Sequence, residues 1–586
     1  MNRNTQEHFA MLPTVDIGRS KFDRGFTHTT TFNTGELVPL YVDPDIIPGD
    51  TITMRQSEII RMTTPICPVM DNAYMDFYWF FVPNRLVMND WKKLMGENET
   101  APWTQSTEVT IPQIKINNNE GTTKLLHTVL KGSVLDHMGI PTQNSWTYAA
   151  SGSEESKEIE ISQLPVRAYC LIWNEFFRDE NLQNPVNIPK DNTTVVTRNM
   201  NYNPTDYDAN QVAYAYRGGL PCLKVCKPHD YFTSALPNAQ KGPAVSLPLA
   251  GDAPVVMQMN GTGSDVEYLN GLNPATHMAI NQSGGTPSAG FTYGYSDGLM
   301  EDGSDDFVYW NAATLGEGDY WWNPVADLSK ATGATVNALR QAFAIQKFYE
   351  RDARGGTRYI ESIWAHFRVR NPDFRLQRPE YLGGFRQNIN MNQVVQTTPL
   401  ISDTSTPLGT TGAYSVTTHQ NGDVFSHSFT EHGILLGLAC IRTEHTYQQG
   451  INRAWFKKKR LDFYSPEFAN LSEQYITNDE IYAQGTATDK EAFGYQEAWA
   501  EMRYMPNIVS GEIRSDYTTS LDIWTYADNY SDLPSLGDKW IQETDVNVAR
   551  TLAIQTQDQF MGDFYFGAIY TRPMPMYSIP GLIDHH

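Results

Sequence analysis

Uninterrupted apolar runs mark the most strongly predicted strands of this chain. Residues 77–82 are all apolar, and residues 434–441 are apolar apart from one glycine. Both runs are far too short to span a bilayer, but they suit strands that are buried on both faces. Residues 50–62 are also strand-like, and near the C-terminus every second residue is apolar, as in a half-buried strand, at Phe564, Phe566, Ala568 and Tyr570.

The positions of these strands predict the architecture. They lie near both ends of the chain, and loop-rich sequence without a linker or an internal repeat separates them. This pattern predicts an all-β fold, a single β-sandwich with long loop insertions and a few helices. The clearest helix is predicted to begin after an N-cap at Thr335 and to end at Gly355 as the C′ glycine.

A long acidic segment interrupts the predicted core. Residues 231–329 include eleven acidic residues and one basic residue, Lys241, and they lack a strong strand pattern. Such a segment buries little area and belongs on a solvated surface. We therefore predict a first core part with an N-terminal arm at residues 1–242, a surface insertion at 243–330, and a second core part at 331–586. The aromatic residues of the insertion need partners, and they include Tyr293, Tyr295, Trp321 and Trp322.

Two basic segments stand out against a net charge of −23, which limits any nucleic-acid contact to local sites. The first contains Arg453, Lys457, Lys458, Lys459 and Arg460, flanked by aromatic residues. Basic groups beside aromatic rings can bind phosphates and stack on unpaired bases, although a solvated edge or ion pairs between subunits would fit equally well. For the second, residues 351–386 with eight arginines against four acids, a solvated edge or ion pairs between subunits are the favoured interpretation.

Motifs for catalysis or metal binding are weak. The G-x-S-x-G pattern at residues 294–298 lies in an acidic, glycine-rich segment without the strand and helix that hold a hydrolase nucleophile. Cys222 and Cys226 lack a second cysteine pair, and the spacing of His419, His427, His432 and His445 places no two on adjacent turns of a helix. We therefore expect no catalytic residue, metal or cofactor. The polar N-terminus predicts no signal peptide, and no membrane insertion is expected.

Several ordered strings resemble the gokushovirus branch of the microvirus major capsid proteins. They extend over nearly the whole chain. The most specific are Asp230-Tyr231-Phe232-Thr233-Ser234-Ala235-Leu236-Pro237, Glu350-Arg351-Asp352-Ala353-Arg354-Gly355-Gly356-Thr357-Arg358-Tyr359 and Phe493-Gly494-Tyr495-Gln496-Glu497-Ala498-Trp499-Ala500-Glu501.

The resemblance implies a structural protein and not an enzyme. It implies one eight-stranded jelly roll, sixty copies in a T = 1 icosahedral shell around single-stranded DNA, and an insertion that builds protrusions at the three-fold axes. It also implies assembly in the bacterial cytoplasm, with a small basic DNA-packaging protein, a scaffolding protein and a host surface receptor as partners. Within that framework, the basic segment is predicted to contact DNA, and the aromatic residues of the insertion are predicted to attach to the host.

Two alternatives remain at this point. Tryptophan and tyrosine commonly line sugar sites, so a glycan-binding or glycan-cleaving β-sandwich protein is one of them. The other is a minor structural component of a virion, such as a spike or a scaffold.

Overall fold

A computed structural model describes most of the chain. The described residues are 18–97, 109–117, 129–142, 158–197, 220–243, 245, five short strands between 255 and 326, and 336–577 apart from 357, 390, 396–410 and 417. The chain divides into two compact units, one formed by residues 1–241 and 350–586 and the other by residues 242–349.

Strands predominate over helices among the described residues. In chain order the strands are β1 (Ser20–Asp23), β2 (Phe26–Phe32), β3 (Val38–Ile46), β4 (Thr51–Met62), β5 (Ala73–Pro83), β6 (Gln113–Asn117), β7 (Glu158–Ser162), β8 (Val195–Thr197), β9 (Val255–Asn260), β10 (Met278–Ala279), β11 (Gly294–Tyr295), β12 (Val308–Tyr309), β13 (Trp321–Ala326), β14 (Glu380–Ile389), β15 (Met391–Val395), β16 (Thr411–Val416), β17 (Thr418–Ser428), β18 (Gly433–Thr443), β19 (Thr446–Tyr447), β20 (Glu473–Thr477), β21 (Ala492–Glu497), β22 (Asn507–Ile508) and β23 (Phe560–Arg572). The α-helices are α1 (Asn84–Val87), α2 (Trp91–Leu94), α3 (Val134–His137), α4 (Leu164–Ile172), α5 (Val336–Gly355), α6 (Tyr359–Phe367), α7 (Asn478–Ile481), α8 (Asp538–Ile541) and α9 (Val546–Arg550).

Two antiparallel sheets form the centre of the larger unit. In the first sheet, β23 pairs with both β1 and β2 on one side and with β4 on the other, and β4 pairs with β17. The second sheet has the order β14-β5-β18-β3. Side chains from both sheets share one buried cluster, which includes Met54, Trp79, Leu435 and Phe566. The predicted all-β class is confirmed.

The two sheets differ in how many faces they bury, and this explains their sequence patterns. Along β4 buried and accessible positions alternate, because only one face of the first sheet packs against the core. The central strands of the second sheet, β5 and β18, are buried on both faces. Phe77 and Trp79 face the shared cluster, whereas Phe80 and Val82 join a second cluster that includes Tyr169 of α4. The uninterrupted apolar run of β5 follows from this double burial.

Helix α5 confirms the predicted helix but ends one residue later than expected. Gly355 is its last residue, and the following Gly356 has a φ of +87°. Glycine adopts this left-handed conformation without the steric cost that a Cβ would add, so Gly356 is the residue that ends the helix. Among the described residues, no helix is long and apolar enough to cross a membrane.

The smaller unit contains short strands that its sequence pattern did not predict. Strand β9 pairs with β13, and β10, β11 and β12 form a three-stranded sheet. Both pairings are antiparallel. The polar and glycine-rich composition of this segment conceals the strands, because period-two alternation needs a strongly apolar face to be visible in sequence.

Candidate nucleic-acid interface

The first basic segment is held in a fixed loop by short polar contacts. Asn452 caps the 3₁₀ turn Arg453–Phe456 by accepting a hydrogen bond from the Ala454 amide at 2.9 Å. The carboxylate of Asp462 accepts hydrogen bonds from the amides of Lys458 and Lys459 at 2.8 and 2.7 Å. These two amides lower the pKa of Asp462, which therefore stays ionised and keeps the loop closed at neutral pH.

Two of the five predicted DNA contacts have carboxylate partners inside the chain. The Arg453 guanidinium lies 3.2 Å from Glu480, and the Lys457 ammonium lies 3.5 Å from Glu501. Both carboxylates are almost fully buried, with 2% and 5% of their side chains exposed. Burial raises the pKa of Glu480, although its partners oppose that shift. Arg453 and Lys457 therefore act first as counter-ions of buried acids.

The other three residues of the segment are free to meet a ligand. Lys458, Lys459 and Arg460 are exposed, and within the described part of the chain none of them forms an ion pair. Large aromatic side chains next to them are also exposed, with accessible fractions of 84% for Trp455 and 56% for Phe463. Ammonium and guanidinium groups beside accessible rings are the groups that bind phosphates and stacked bases.

An open cavity of about 680 Å³ adjoins this loop. Its lining includes Trp455, Tyr504 and Met505 together with the acids Glu480 and Glu501. Arg453, which also lines the cavity, is already paired with Glu480, and Lys457 is paired with Glu501. The exposed cations Lys458, Lys459 and Arg460 are not among the lining residues, so they face the outer edge of the segment and not the cavity.

The second basic segment is largely neutralised by acids of the same chain. Four of its eight arginines pair with carboxylates, and three of these pairs join distant parts of the sequence. The pairs are Arg354 with Glu473, Arg358 with Glu180 and Glu361, Arg378 with Asp373, and Arg386 with Asp76. The favoured interpretation from sequence is a solvated edge or ion pairs between subunits, whereas these four arginines form their ion pairs within the chain.

Sequence comparison places these sites in a known family. Residues 10–582 match the profile of a phage family that is described as capsid protein (F protein). This chain belongs to that capsid protein family. The match extends over both basic segments and the insertion, and it confirms the resemblance to microvirus capsid proteins.

Capsid proteins called VP1 from three phages are similar to this one over almost their full lengths. The protein from Bdellovibrio phage phiMH2K is 39% identical over 586 residues, with 99% of this chain and 98% of the relative covered. The protein from Spiroplasma virus 4 is 37% identical, with the same coverage of 99% and 98%. The protein from Chlamydia phage 1 is 34% identical, with 98% of each chain covered. The chain is thus a structural capsid protein and not an enzyme, which excludes the glycan-cleaving alternative.

The candidate host-attachment residues of this capsid protein belong to the smaller unit. Tyr295 lies in β11, opposite Met278 of β10 and Val308 of β12. Trp321 and Trp322 begin β13, opposite Asn260 and Met259 of β9. Tyr293 lies outside the described residues, as does the serine of the G-x-S-x-G pattern. The attachment role of these four aromatic residues stays a prediction.

Three of the four histidines of the capsid protein, His427, His432 and His445, have separate partners, and the side chain of His419 lies outside the described part of the structure. His445 is enclosed between Asp528, at 2.8 Å from Nδ1, and Glu543, at 3.1 Å from Nε2. His427 lies 3.7 Å from Glu380, and the His432 ring packs against Trp91 with 5.9 Å between centroids. Within the ranges that the structure describes, no three His, Cys, Asp or Glu side chains are grouped as metal ligands.

The two neighbouring cysteines also point to separate partners. Cys222 donates to the Gly132 carbonyl oxygen, whereas Cys226 donates to the Phe177 carbonyl oxygen at 3.3 Å. Burial raises the pKa of Cys226 to about 12 and that of Cys222 well above its usual range, so both remain thiols at neutral pH. Neutral, hydrogen-bonded thiols are poor metal ligands.

Proposed function

We propose that this chain is the major capsid subunit that assembles, as sixty copies in a T = 1 icosahedral shell, around a single-stranded DNA phage genome in the bacterial cytoplasm. The observation that carries the proposal is the strand order. Lettered B to I in chain order, β2, β3, β4, β5, β14, β17, β18 and β23 run B-I-D-G in one sheet and C-H-E-F in the other. This order supports an eight-stranded jelly roll, an architecture that many viral capsid subunits use.

A large exposed apolar surface supports assembly with other copies. In the loops that follow β19, many large apolar side chains are accessible, including Met505 at 78%, Ile508 at 72% and Leu461 at 70%. Soluble monomers rarely expose so many large apolar groups in one region. Neighbouring subunits of a shell would bury these side chains, so we assign the long loops to contacts between subunits.

Sedimentation velocity of the purified chain tests this assembly. The wild type is expected to sediment as one large species. The double variant Met505→Ser and Ile508→Ser removes apolar contact area and should sediment mainly as unassembled protein. Val546→Ser is the matched control, because Val546 is equally exposed, at 67%, but lies outside these loops. Assembly of the double variant at wild-type level would contradict a role for this surface.

Contact with the genome is proposed for the exposed edge of the first basic segment. Lys458, Lys459 and Arg460 are exposed and form no ion pair among the described residues, so phosphate can reach their side chains. The triple change to glutamine should leave shells intact and lower the amount or the salt resistance of packaged DNA. Packaging at wild-type level, or a position of the three residues on the outer surface, would contradict the contact.

Genome packaging is proposed to need another source of positive charge. At −23 per chain, the shell protein as a whole repels DNA, and three local cations per subunit do not reverse that sign. A small basic packaged protein would supply the missing charge, and a scaffolding protein is a further proposed partner. Particles of this chain alone, prepared without polyamines and with chelator, are expected to be empty. DNA-filled particles under those conditions would count against the proposal.

Host attachment is proposed for residues 243–330 as a surface protrusion. Three copies at a three-fold axis could give Tyr293, Tyr295, Trp321 and Trp322 partners, and an accessible aromatic tip could bind a host surface receptor. Replacement of residues 248–326 by a short Gly/Ser linker should leave assembly intact and abolish adsorption to host cells. Unchanged adsorption would contradict the attachment role, and loss of assembly would show that the segment belongs to the core.

A further inference from the structure

A second surface combines cations with accessible rings, and it lies in the segment that sequence alone assigned to ion pairs. It consists of Trp364 and Phe367 of α6, and of Arg368, Arg370, Phe374 and Arg375 in the loop that follows. We call it the arginine–aromatic surface. Its rings are widely accessible, with exposed fractions of 75% for Phe367, 57% for Phe374 and 47% for Trp364.

Backbone hydrogen bonds and one anchored arginine fix the path of the chain at this surface. Arg368 ends α6 in a left-handed conformation, with a φ of +54°, and its amide donates to the Trp364 carbonyl oxygen at 2.9 Å. The loop then turns at Pro372, whose carbonyl oxygen accepts from the Arg375 amide at 3.1 Å. The far end of the loop is anchored by Arg378, which lies 3.4 Å from Asp373 and 4.1 Å above the Phe176 ring. Both ends are fixed while the side chains between them stay in solvent.

The charges of the surface are uncompensated. Within the described residues, Arg368, Arg370 and Arg375 form no ion pair, in contrast to the four paired arginines of the same segment. The two carboxylates closest in sequence are Asp373, which is paired with Arg378, and Glu380, which lies 3.7 Å from His427. In a chain with a net charge of −23, three exposed arginines within residues 368–375 that form no ion pair therefore indicate an external anion.

The rings specify the kind of anion. The Arg370 guanidinium lies over the Trp364 ring, 4.9 Å from its centre, so a planar cation and an aromatic ring are in direct contact at this surface. Guanidiniums bind phosphate through several hydrogen bonds, and exposed rings stack on bases that are not paired. An apolar protein partner would use the rings but would leave the three charges unmatched.

We propose that the arginine–aromatic surface binds single-stranded DNA, with phosphates on Arg368, Arg370 and Arg375 and unpaired bases on Trp364, Phe367 and Phe374. The identity of the ligand as the genome rests on the proposed function, whereas the binding itself does not. The surface would add to the exposed edge at residues 458–460.

Fluorescence anisotropy of labelled oligothymidylate with the purified full chain tests the proposal across a salt series. The triple variant Arg368→Gln, Arg370→Gln and Arg375→Gln should bind more weakly. Its slope of log affinity against log salt should be smaller in magnitude by about 2, since each lost phosphate contact on a single strand removes about 0.7. The double variant Phe367→Leu and Phe374→Leu should lose about tenfold in affinity with an unchanged slope.

The matched control removes three exposed cations elsewhere, through Arg61→Gln, Lys190→Gln and Lys539→Gln. It should bind as the wild type does, and duplex DNA should bind more weakly than the single strand. Equal losses of DNA affinity in the control and in the triple variant would show that binding depends only on net charge, which would overturn the proposal. Wild-type DNA binding by the triple variant together with failed assembly would make the surface a contact between copies, which also overturns it.

The outcome is separable from that of the proposed function. Shells that assemble from a triple variant with unchanged DNA binding would contradict only this surface. Oligothymidylate binding that depends on the three arginines, in a chain that never forms shells, would contradict only the capsid assembly.

Discussion

Ionisation of Glu58 destabilises the folded state. It lies on the inner face of β4, only 1% exposed, among the apolar side chains of the sandwich. Burial raises its pKa to about 7, and a hydrogen bond with Gln56 opposes this only partly. A carboxyl group that is harder to ionise in the folded state than in the unfolded state lowers stability as the pH rises.

We predict that Glu58→Gln stabilises the chain at pH 8 and has little effect at pH 4. Below the ordinary pKa of 4.5 the group is neutral in both states, and between 4.5 and about 7 only the unfolded state ionises readily. The gain at pH 8 is up to about 3 kcal/mol, since one pKa unit corresponds to about 1.4 kcal/mol. Urea unfolding of unassembled protein at several pH values measures it. A gain that does not vary with pH would contradict this account.

The ionised form of His445 stabilises the folded state, in contrast to that of Glu58, because it is a buried cation between two acids. Burial alone would lower its pKa, but Asp528 and Glu543 raise it to about 10. The pKa of Asp528 falls correspondingly to about 2, against the effect of its own burial. Asn547 donates to the second oxygen of Asp528 at 2.7 Å and completes the network. This group therefore joins the turn between β18 and β19 to the loops that precede α8 and α9.

We predict that His445→Gln destabilises the chain by about 3–5 kcal/mol at neutral pH, because two buried carboxylates lose their counter-ion. The stabilisation by wild-type His445 is complete below the ordinary pKa of 6.5 and disappears as the pH rises through about 10. The difference between variant and wild type should shrink over that range. His427→Gln is the control, because His427 is accessible and its partner lies 3.7 Å away. Equal effects of the two substitutions would contradict the prediction.

Sequence could identify the basic residues but not their partners. Arg453 and Lys457 belong to an evident basic cluster. Their ion-pair partners, Glu480 and Glu501, lie more than twenty residues further along the chain. The pattern from Thr477 to Glu480 signals a helix N-terminus, and the two residues do form a capping box at α7. Nothing in that pattern shows that Glu480 also neutralises an arginine, because tertiary packing decides which charges meet.

At the scale of elements, strongly buried faces made some strands predictable, and the weak burial of others left them hidden. Strands β4, β5, β18 and β23 all occur where the apolar patterns placed them. Strand β14 was missed because it alternates accessible and half-buried side chains and contains a bulge between Tyr381 and Gly383. Its position at the edge of the sheet removes the apolar signal on which sequence patterns depend.

We predict that Gly384→Ala disrupts the pairing of β14 with β5. A Cβ at Gly384 would collide with the carbonyl oxygen of Phe77 on the neighbouring strand, and backbone cannot move aside as a flexible side chain can. Gly422→Ala in β17 is the control, since a Cβ there meets no atom within 4 Å. Thermal unfolding should show a clear loss for the first variant and almost none for the second. Equal melting temperatures would contradict the assigned register.

At the scale of the whole molecule, sequence patterns indicated a β-rich core, but the use of the loops depends on what surrounds the chain. The loops after β19 expose side chains such as Trp455 and Met505, which a single chain leaves in contact with water. Whether a loop serves a neighbouring copy, a genome or a host surface is not encoded in local periodicity. The family assignment came from ordered motifs along the full length, and the strand order independently supports the same architecture.

The central claim is that copies of this chain alone carry the information for a closed shell of one size. Electron microscopy of the purified, expressed chain, followed by icosahedral reconstruction, tests it most directly. The account predicts closed particles of a single diameter with one copy in each asymmetric unit, hence sixty in all. It also predicts that the two sheets of every copy follow the B-I-D-G and C-H-E-F orders. Monomers, open aggregates, or several non-equivalent copies in each asymmetric unit would contradict it.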